Sequence, residues 1–193
     1  DEYERILEII NHAFARKYGR KTDSVFFDGT NYYFEIDREK GDRRKGPSKE
    51  SRNDPIISMG LLLDAEQIPL AMKMFPGNES EKPVMREIIK DMKEKNGIAG
   101  RTIQVADKGL NCAKNICEAL KNGDGYIFSQ SIKRLPEQER KWALLESDDA
   151  RWAEVRDGDG ALLYKYKSCI DKFQYRVGGG AGRQATVSLT QKR

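Results

Sequence analysis

Apolar residues at Tyr3, Ile6, Leu7, Ile9, Ile10, Ala13 and Phe14 recur at the spacing of one helix face, and Gly19 follows a basic stretch that suits a helix C-terminus. The pattern predicts an amphipathic lead-in helix over Tyr3 to Tyr18. Ser24 to Glu35, rich in Val, Phe and Tyr, reads as a long strand with a candidate bend at Asp28-Gly29. Ile56 to Asp64 and Pro69 to Phe75, split by Ala65-Glu66-Gln67, read as an antiparallel hairpin beside that strand. Pro76-Gly77-Asn78 is a turn. Val84, Ile88, Ile89 and Met92 then mark a helix that starts near Pro83 and ends at Asn96-Gly97. Thr102 to Ala106 is a short strand, Ala113 to Leu120 a helix ended by Asn122-Gly123, and Tyr126 to Ser129 a further strand. Strands alternating with helices imply parallel neighbours, so the first part of the chain is α/β with a mixed sheet: an antiparallel three-stranded meander, then helix, strand, helix, strand.

Beyond Leu135 the pattern changes. Trp142 and Trp152 stand among charges, Asp157-Gly158-Asp159-Gly160 separates two strand-like runs, and Lys172 to Val177 and Thr186 to Leu189 flank a glycine cluster. The region reads as a separate β-hairpin unit whose small core the two tryptophans fill. Gly178-Gly179-Gly180-Ala181-Gly182 has the composition of a phosphate loop, but such a loop needs a helix after it to present its amides, and a strand follows here.

Two short segments carry the candidate chemistry. Val25-Phe26-Phe27-Asp28-Gly29-Thr30 and Ile103-Gln104-Val105-Ala106-Asp107-Lys108-Gly109 each set one Asp at the C-terminal end of an apolar strand. Carboxylates presented from strand ends suit a hard divalent cation such as Mg2+, which takes one or two carboxylates and completes its shell with water and substrate phosphates. Asp and Gly are also turn formers, so plain turns are the competing reading.

Charge and composition narrow the picture. A net charge of +4 in 193 residues is only mildly basic, but Arg38, Lys40, Arg43, Arg44, Lys45, Lys49 and Arg52 form a dense basic run with three acids in it, on a polar loop containing Gly and Pro. Cys112, Cys117 and Cys169 are odd in number and lack zinc-site spacing, which suits free thiols in a reducing cytosol. His12 is the sole histidine and falls on the lead-in helix as an ordinary surface or half-buried residue, which leaves little room for a histidine-based triad or metal site. Tyr32, Tyr33 and Phe34 alternate along a strand, so at least one faces the core, and core packing is the expectation for them. Ile56 to Leu63, the longest apolar stretch, is interrupted by Ser58 and Gly60 and is far shorter than the roughly twenty residues of a membrane span. No signal peptide is visible.

Phe27-Asp28-Gly29-Thr30-Asn31-Tyr32-Tyr33-Phe34-Glu35, Gly46-Pro47-Ser48-Lys49-Glu50-Ser51-Arg52-Asn53-Asp54-Pro55, Phe75-Pro76-Gly77-Asn78-Glu79-Ser80 and Val105-Ala106-Asp107-Lys108-Gly109-Leu110-Asn111 together resemble, in matching order, the DDE transposases of bacterial insertion sequences. The resemblance spans Ser24 to Ile132. It implies a ribonuclease-H-like catalytic core over residues 1–134 and the family's β-rich insertion, incomplete, over 135–193. It further implies cut-and-paste DNA transposition through phosphodiester cleavage and strand transfer, with two Mg2+ ions, or Mn2+ in their place, held by two Asp and one Glu. Asp28 and Asp107 match the two aspartates. The third acid, a Glu on a later helix with Tyr, Arg and Lys companions, has no matching segment; Glu137, Glu139, Glu146 and Glu154 lack those companions. Pro47, Ser51, Asn53 and Lys108 depart from the family's usual residues.

A chain that begins at Asp1 without Met is read as an excised piece, with the third Glu beyond it and little activity alone. The resemblance also implies double-stranded DNA as partner, a homodimer on that DNA, and a bacterial cytoplasm and nucleoid as the place of action. Arg43, Arg44, Lys45, Lys49 and Arg52 are the expected phosphate contacts, with Lys108 and Asn111 beside Asp107 as further DNA contacts. The competing functional reading is a non-catalytic DNA-binding or assembly module on the same fold; a small nucleotide-binding α/β protein is the third.

Overall fold

In the computed structural model, residues 2–51, 53–95, 100–145, 152–178 and 182–192 are described. The chain divides into two compact units, Asp1–Ser129 and Gln130–Arg193. The first is built around β1 (Ser24–Tyr33), flanked by β2 (Ile56–Leu63) on one side and β4 (Ile103–Ala106) on the other. With β3 (Pro69–Pro76) and β5 (Gly125–Phe128), the sheet order is β3-β2-β1-β4-β5. β1, β2 and β3 form an antiparallel meander, and β4 and β5 run parallel to β1. That order and sense of strands is a ribonuclease-H-like mixed sheet, as the pattern of elements predicts.

Alternation along the strands decides which face is covered. Val25 and Phe27 on β1, with Leu62, Leu70 and Phe75 on β2 and β3, turn to one side and are buried. Against them packs α2 (Glu81–Lys95), whose Val84, Met85, Ile88, Ile89 and Met92 form a single apolar stripe. Gly60 sits where Phe27 crosses: a Cβ there would lie 2.8 Å from the Phe27 ring. β1 runs through Asp28-Gly29 without a break, Asp28 opposite Leu61 and Gly29 opposite Gly60, so the candidate bend does not form.

Buried polar residues fix β4 and the loop after it. Asp124, 4% exposed, accepts hydrogen bonds from the Thr102 amide (3.0 Å) and Gln104 Nε2 (3.1 Å), and the Lys93 ammonium pairs with it. The start of β4 is thereby tied to the start of β5 and the end of α2. On α3 (Ala113–Lys121), the buried Asn115 donates to Leu110 O at 2.8 Å and accepts from Arg86 of α2, holding the chain just beyond Asp107. The lead-in helix α1 (Glu2–Tyr18) is present, but Asn11 is its one buried residue among those described. Asn11 Nδ2 donates to Leu70 O at 2.7 Å, whereas Ile6, Ile9 and Ile10 are exposed, as is His12. No helix is long and apolar enough to cross a membrane among the described residues.

The second unit carries the expected antiparallel hairpins, and in addition a helix that the sequence pattern does not announce. It begins with a 3-10 turn (Ile132–Arg134) and a helix, α4 (Glu137–Leu144), followed by β6 (Ala153–Arg156), β7 (Leu162–Tyr175) and β8 (Arg183–Lys192) in one antiparallel sheet. Eight residues are too few to reveal a helical period in sequence, and a contact from β7 secures the helix. Lys167, 2% exposed, donates to the carbonyls of Trp142 (2.7 Å), Ala143 (3.3 Å) and Leu145 (2.9 Å), the negative end of α4. Its ammonium also lies 4.9 Å and 4.8 Å from the ring centroids of Trp142 and Trp152. Both tryptophans are half-buried, so they fill this unit around a cation rather than around an apolar core. The Asp157-Gly158-Asp159-Gly160 turn joins β6 to β7, Asp157 Oδ1 accepting from the Asp159 and Ala161 amides. A strand, β8, follows the glycine cluster, whose residues 179–181 lie outside the described residues.

Tyr32 and Tyr33 also depart from expectation. Both are exposed, at 51% and 38%. Phe34 is half-buried under the Arg43 guanidinium, 5.3 Å from its ring centroid.

Lys167→Ala should cost about 1–3 kcal/mol in urea unfolding by leaving the α4 carbonyls without their donor, and an unchanged midpoint would contradict this role. All three cysteines are free thiols. Burial pushes the Cys169 thiol above its ordinary range, with Asp171 and Glu139 acting the same way against Lys167. The reactive thiolate therefore forms only at higher pH, and alkylation of Cys169 should show a pH midpoint above that of an unhindered thiol.

Candidate functional site

Phe27 of β1 and Ala106 of β4 are the last register partners of a parallel pair. The next residue on each strand is an aspartate, Asp28 and Asp107. Adjacent strands lie about 4.8 Å apart, so the two acids stand on neighbouring strands where the β1–β4 pairing ends, Asp107 just past the end of β4 and Asp28 midway along β1. Both are exposed, the Asp28 side chain at 81%. Asp28 Oδ1 accepts from the Gly29 amide at 2.9 Å, and Asp107 Oδ1 from the Gly109 and Leu110 amides at 2.9 Å and 3.3 Å. Asp107 therefore does form a local turn, the competing reading, whereas Asp28 sits within continuous strand, and each uses one oxygen only in these contacts. Among the described residues neither Oδ2 has a hydrogen-bond partner.

A third carboxylate, unanticipated from sequence, approaches from α2. Glu81 is half-buried against Gly29, where an added Cβ would lie 2.5 Å from Glu81 Oε1. The absence of a side chain at residue 29 makes room for it. Burial pushes the Glu81 carboxyl above its ordinary range; the Lys49 ammonium opposes this, while the charges of Asp107 and Asp28 add to it. An acid in the first turn of a helix, one residue after Ser80 whose hydroxyl accepts from the Lys82 amide (3.3 Å), is what capping and the helix dipole favour anyway. That ordinary explanation hides it in the sequence. No three His, Cys, Asp or Glu side chains are grouped to hold a metal ion among the described residues.

The basic loop reaches the same place. It is clasped to the sheet by paired backbone hydrogen bonds between Arg44 and Ile56 (3.0 and 2.8 Å) and by the Gly77 amide on Asp42 O. Gly46 lies against Gly77 so closely that a Cβ would overlap its carbonyl. From this loop the Lys49 ammonium donates to Gly29 O and lies 3.6 Å from Asp28 Oδ1. Of the other basic candidates, Arg43 stacks on Phe34, Arg44 lies 3.9 Å from Glu39, and Lys45 and Lys108 are exposed. Asn111 Nδ2 donates to Ser129 O at 3.0 Å, linking the loop after β4 to the end of β5. Arg52 lies outside the described residues.

No protein-family model matches the chain. No curated protein matches it either. Among solved structures it is similar to a Mos1 transposase paired-end complex with the left transposon end, at 11% identity and a TM-score of 0.38, over 64% of this chain and 40% of that one. It is similar also to a piggyBac transposase synaptic complex with hairpin DNA, at 14% identity and a TM-score of 0.46, over 87% of this chain and 37% of that one. A Mos1 mariner paired-end complex with Mn gives 11% identity and a TM-score of 0.37. The chain thus spans about 40% of the length of the Mos1 protein. The fold assignment stands on strand order and register.

The site has a pH signature. The folded protein holds the Glu81 proton more tightly than the unfolded chain does, so its ionisation opposes folding. That penalty is absent below the unfolded carboxylate range and develops as pH rises through the elevated folded value. Glu81→Gln in EDTA should therefore raise the thermal midpoint at pH 7 and change it little at pH 3. Equal shifts at both pH values would contradict the electrostatic account.

Proposed function

We propose that the chain carries the first part of a DDE transposase catalytic core, in which Asp28 and Asp107 hold Mg2+, or Mn2+ in its place, and act on double-stranded DNA. The observation that carries this reading is the placement of the two aspartates one residue past the last paired register of β1 and β4. Two exposed carboxylates on adjacent strands, each with one oxygen held by backbone amides and the other without a hydrogen-bond partner among the described residues, are a donor set that fits a hard cation. When bound, such ions supply activation of a water or 3′-hydroxyl and stabilisation of the leaving oxygen in an in-line displacement at phosphorus. The amides of Gly29, Gly109 and Leu110 orient the two carboxylates before substrate arrives. Lys45, Lys108 and the loop arginines supply phosphate contacts that are salt-dependent and blind to sequence.

Residues 1–134 constitute the core portion in this reading and 135–193 the insertion. The third acid of the transposase site is assigned to no residue of this chain. Two carboxylates hold a pair of hard cations weakly, so strand transfer by the chain alone should be negligible.

Millimolar Mg2+ should raise the thermal midpoint of the wild-type chain, and the increment should vanish in Asp28→Asn and Asp107→Asn. Binding to a DNA duplex should weaken steeply with salt, and Lys45→Ala should lower the slope of log K against log salt by about 1. Duplex binding that survives with no Mg2+ increment in any variant would favour the non-catalytic DNA-binding module instead.

A further inference from the structure

We propose that Lys49 is an internal counter-ion of the carboxylate site: a divalent cation displaces its ammonium, which then engages a DNA phosphate, so that cation and DNA bind cooperatively. The inference rests on the assignment of Asp28 and Asp107 as the cation-holding pair.

The geometry places the Lys49 ammonium beside Asp28 and on the backbone of Gly29. The Lys49 ammonium lies 3.6 Å from Asp28 Oδ1 and donates to Gly29 O, the residue against which Glu81 packs. The field of Lys49 at Glu81 opposes the fields of Asp107 and Asp28 there. An ammonium has no acceptor capacity and cannot share a coordination shell with a divalent cation; held beside the same Asp28 carboxylate, the two repel. The divalent ion has twice the charge and is the stronger partner for carboxylate oxygens.

Lys49 is built to yield. Its side chain is 52% exposed, and an ion pair so open to water is weak and screened. It stands in the turn formed by Ser48 to Ser51, where the Ser51 amide donates to Ser48 O at 3.2 Å, inside a loop whose base is clasped to β2 through Arg44 and Ile56. The ammonium can therefore leave Asp28 by side-chain rotation while the loop stays anchored. The same loop presents the exposed Lys45, so a phosphate drawn to the loop meets a second cation. Before the divalent ion binds, Lys49 is engaged with the protein; afterwards it is available to DNA.

Mn2+ affinity measured by electron paramagnetic resonance, together with fluorescence anisotropy of a labelled duplex with and without Mn2+, tests this in the full chain. Lys49→Met keeps the apolar stem and removes the competing charge, so it should bind Mn2+ about two- to fivefold more tightly, the range expected for loss of an exposed ion pair. Lys49→Arg should stay near wild type. In wild type Mn2+ should tighten duplex binding, and that gain should shrink in Lys49→Met. Unchanged or weaker Mn2+ binding in Lys49→Met, with binding lost in Asp28→Asn, would overturn the role of Lys49 and leave the cation site standing. Wild-type Mn2+ affinity in both Asp28→Asn and Asp107→Asn would overturn the site itself, and the counter-ion role with it.

Discussion

The parallel, in-register pairing of β4 with β1 is the constraint from which the rest of the site follows. A register that ends at Phe27 and Ala106 leaves Asp28 and Asp107 no choice but to emerge together. A shift of one residue would turn the alternation of β4 over, bringing Val105 inward in place of Gln104 and Ala106. The contacts that hold β4 to the β1 side are Thr102 Oγ1 on Thr22 O at 3.2 Å and the Ile103 amide on Asp23 O at 2.8 Å, while the buried Asp124 ties the same start of β4 to the start of β5.

Charge is the second layer of the same design. The charges of Asp107 and Asp28 act against ionisation of Glu81, which packs on Gly29, and the fold brings one lysine from a clasped loop to oppose them. The basic run is therefore not a uniformly solvated patch. Arg43 covers Phe34, Arg44 faces Glu39, Lys49 serves the acids, and Lys45 faces solvent. The second unit solves a comparable problem in reverse: Lys167 is buried and takes its compensation from helix carbonyls and two indole rings.

Most of the first unit was legible in the sequence because its signals are local. Alternation in β2 and the Val84 to Met92 stripe of α2 name their own buried faces, and the run of helices and strands after β3 dictates parallel pairing. Asp28 and Asp107 were legible because each closes an apolar run. Glu81 was not, since an acid beside a helix start needs no further reason to be there. Tyr32 and Tyr33 misled because alternation tells which face a residue takes, not whether anything covers that face. Helix α4 was missed because its stability comes from Lys167, a residue about 25 positions away, and no local pattern encodes that contact.

The central claim is that Asp28 and Asp107 share a cation, and the most direct measurement is a crystal structure of the chain grown with Mn2+, with the ion located by anomalous scattering. The account predicts an anomalous peak between the two carboxylates, with oxygen distances just over about 2 Å and the Lys49 ammonium withdrawn from Asp28. Mn2+ bound elsewhere while the two aspartates remain separate turn residues would contradict it.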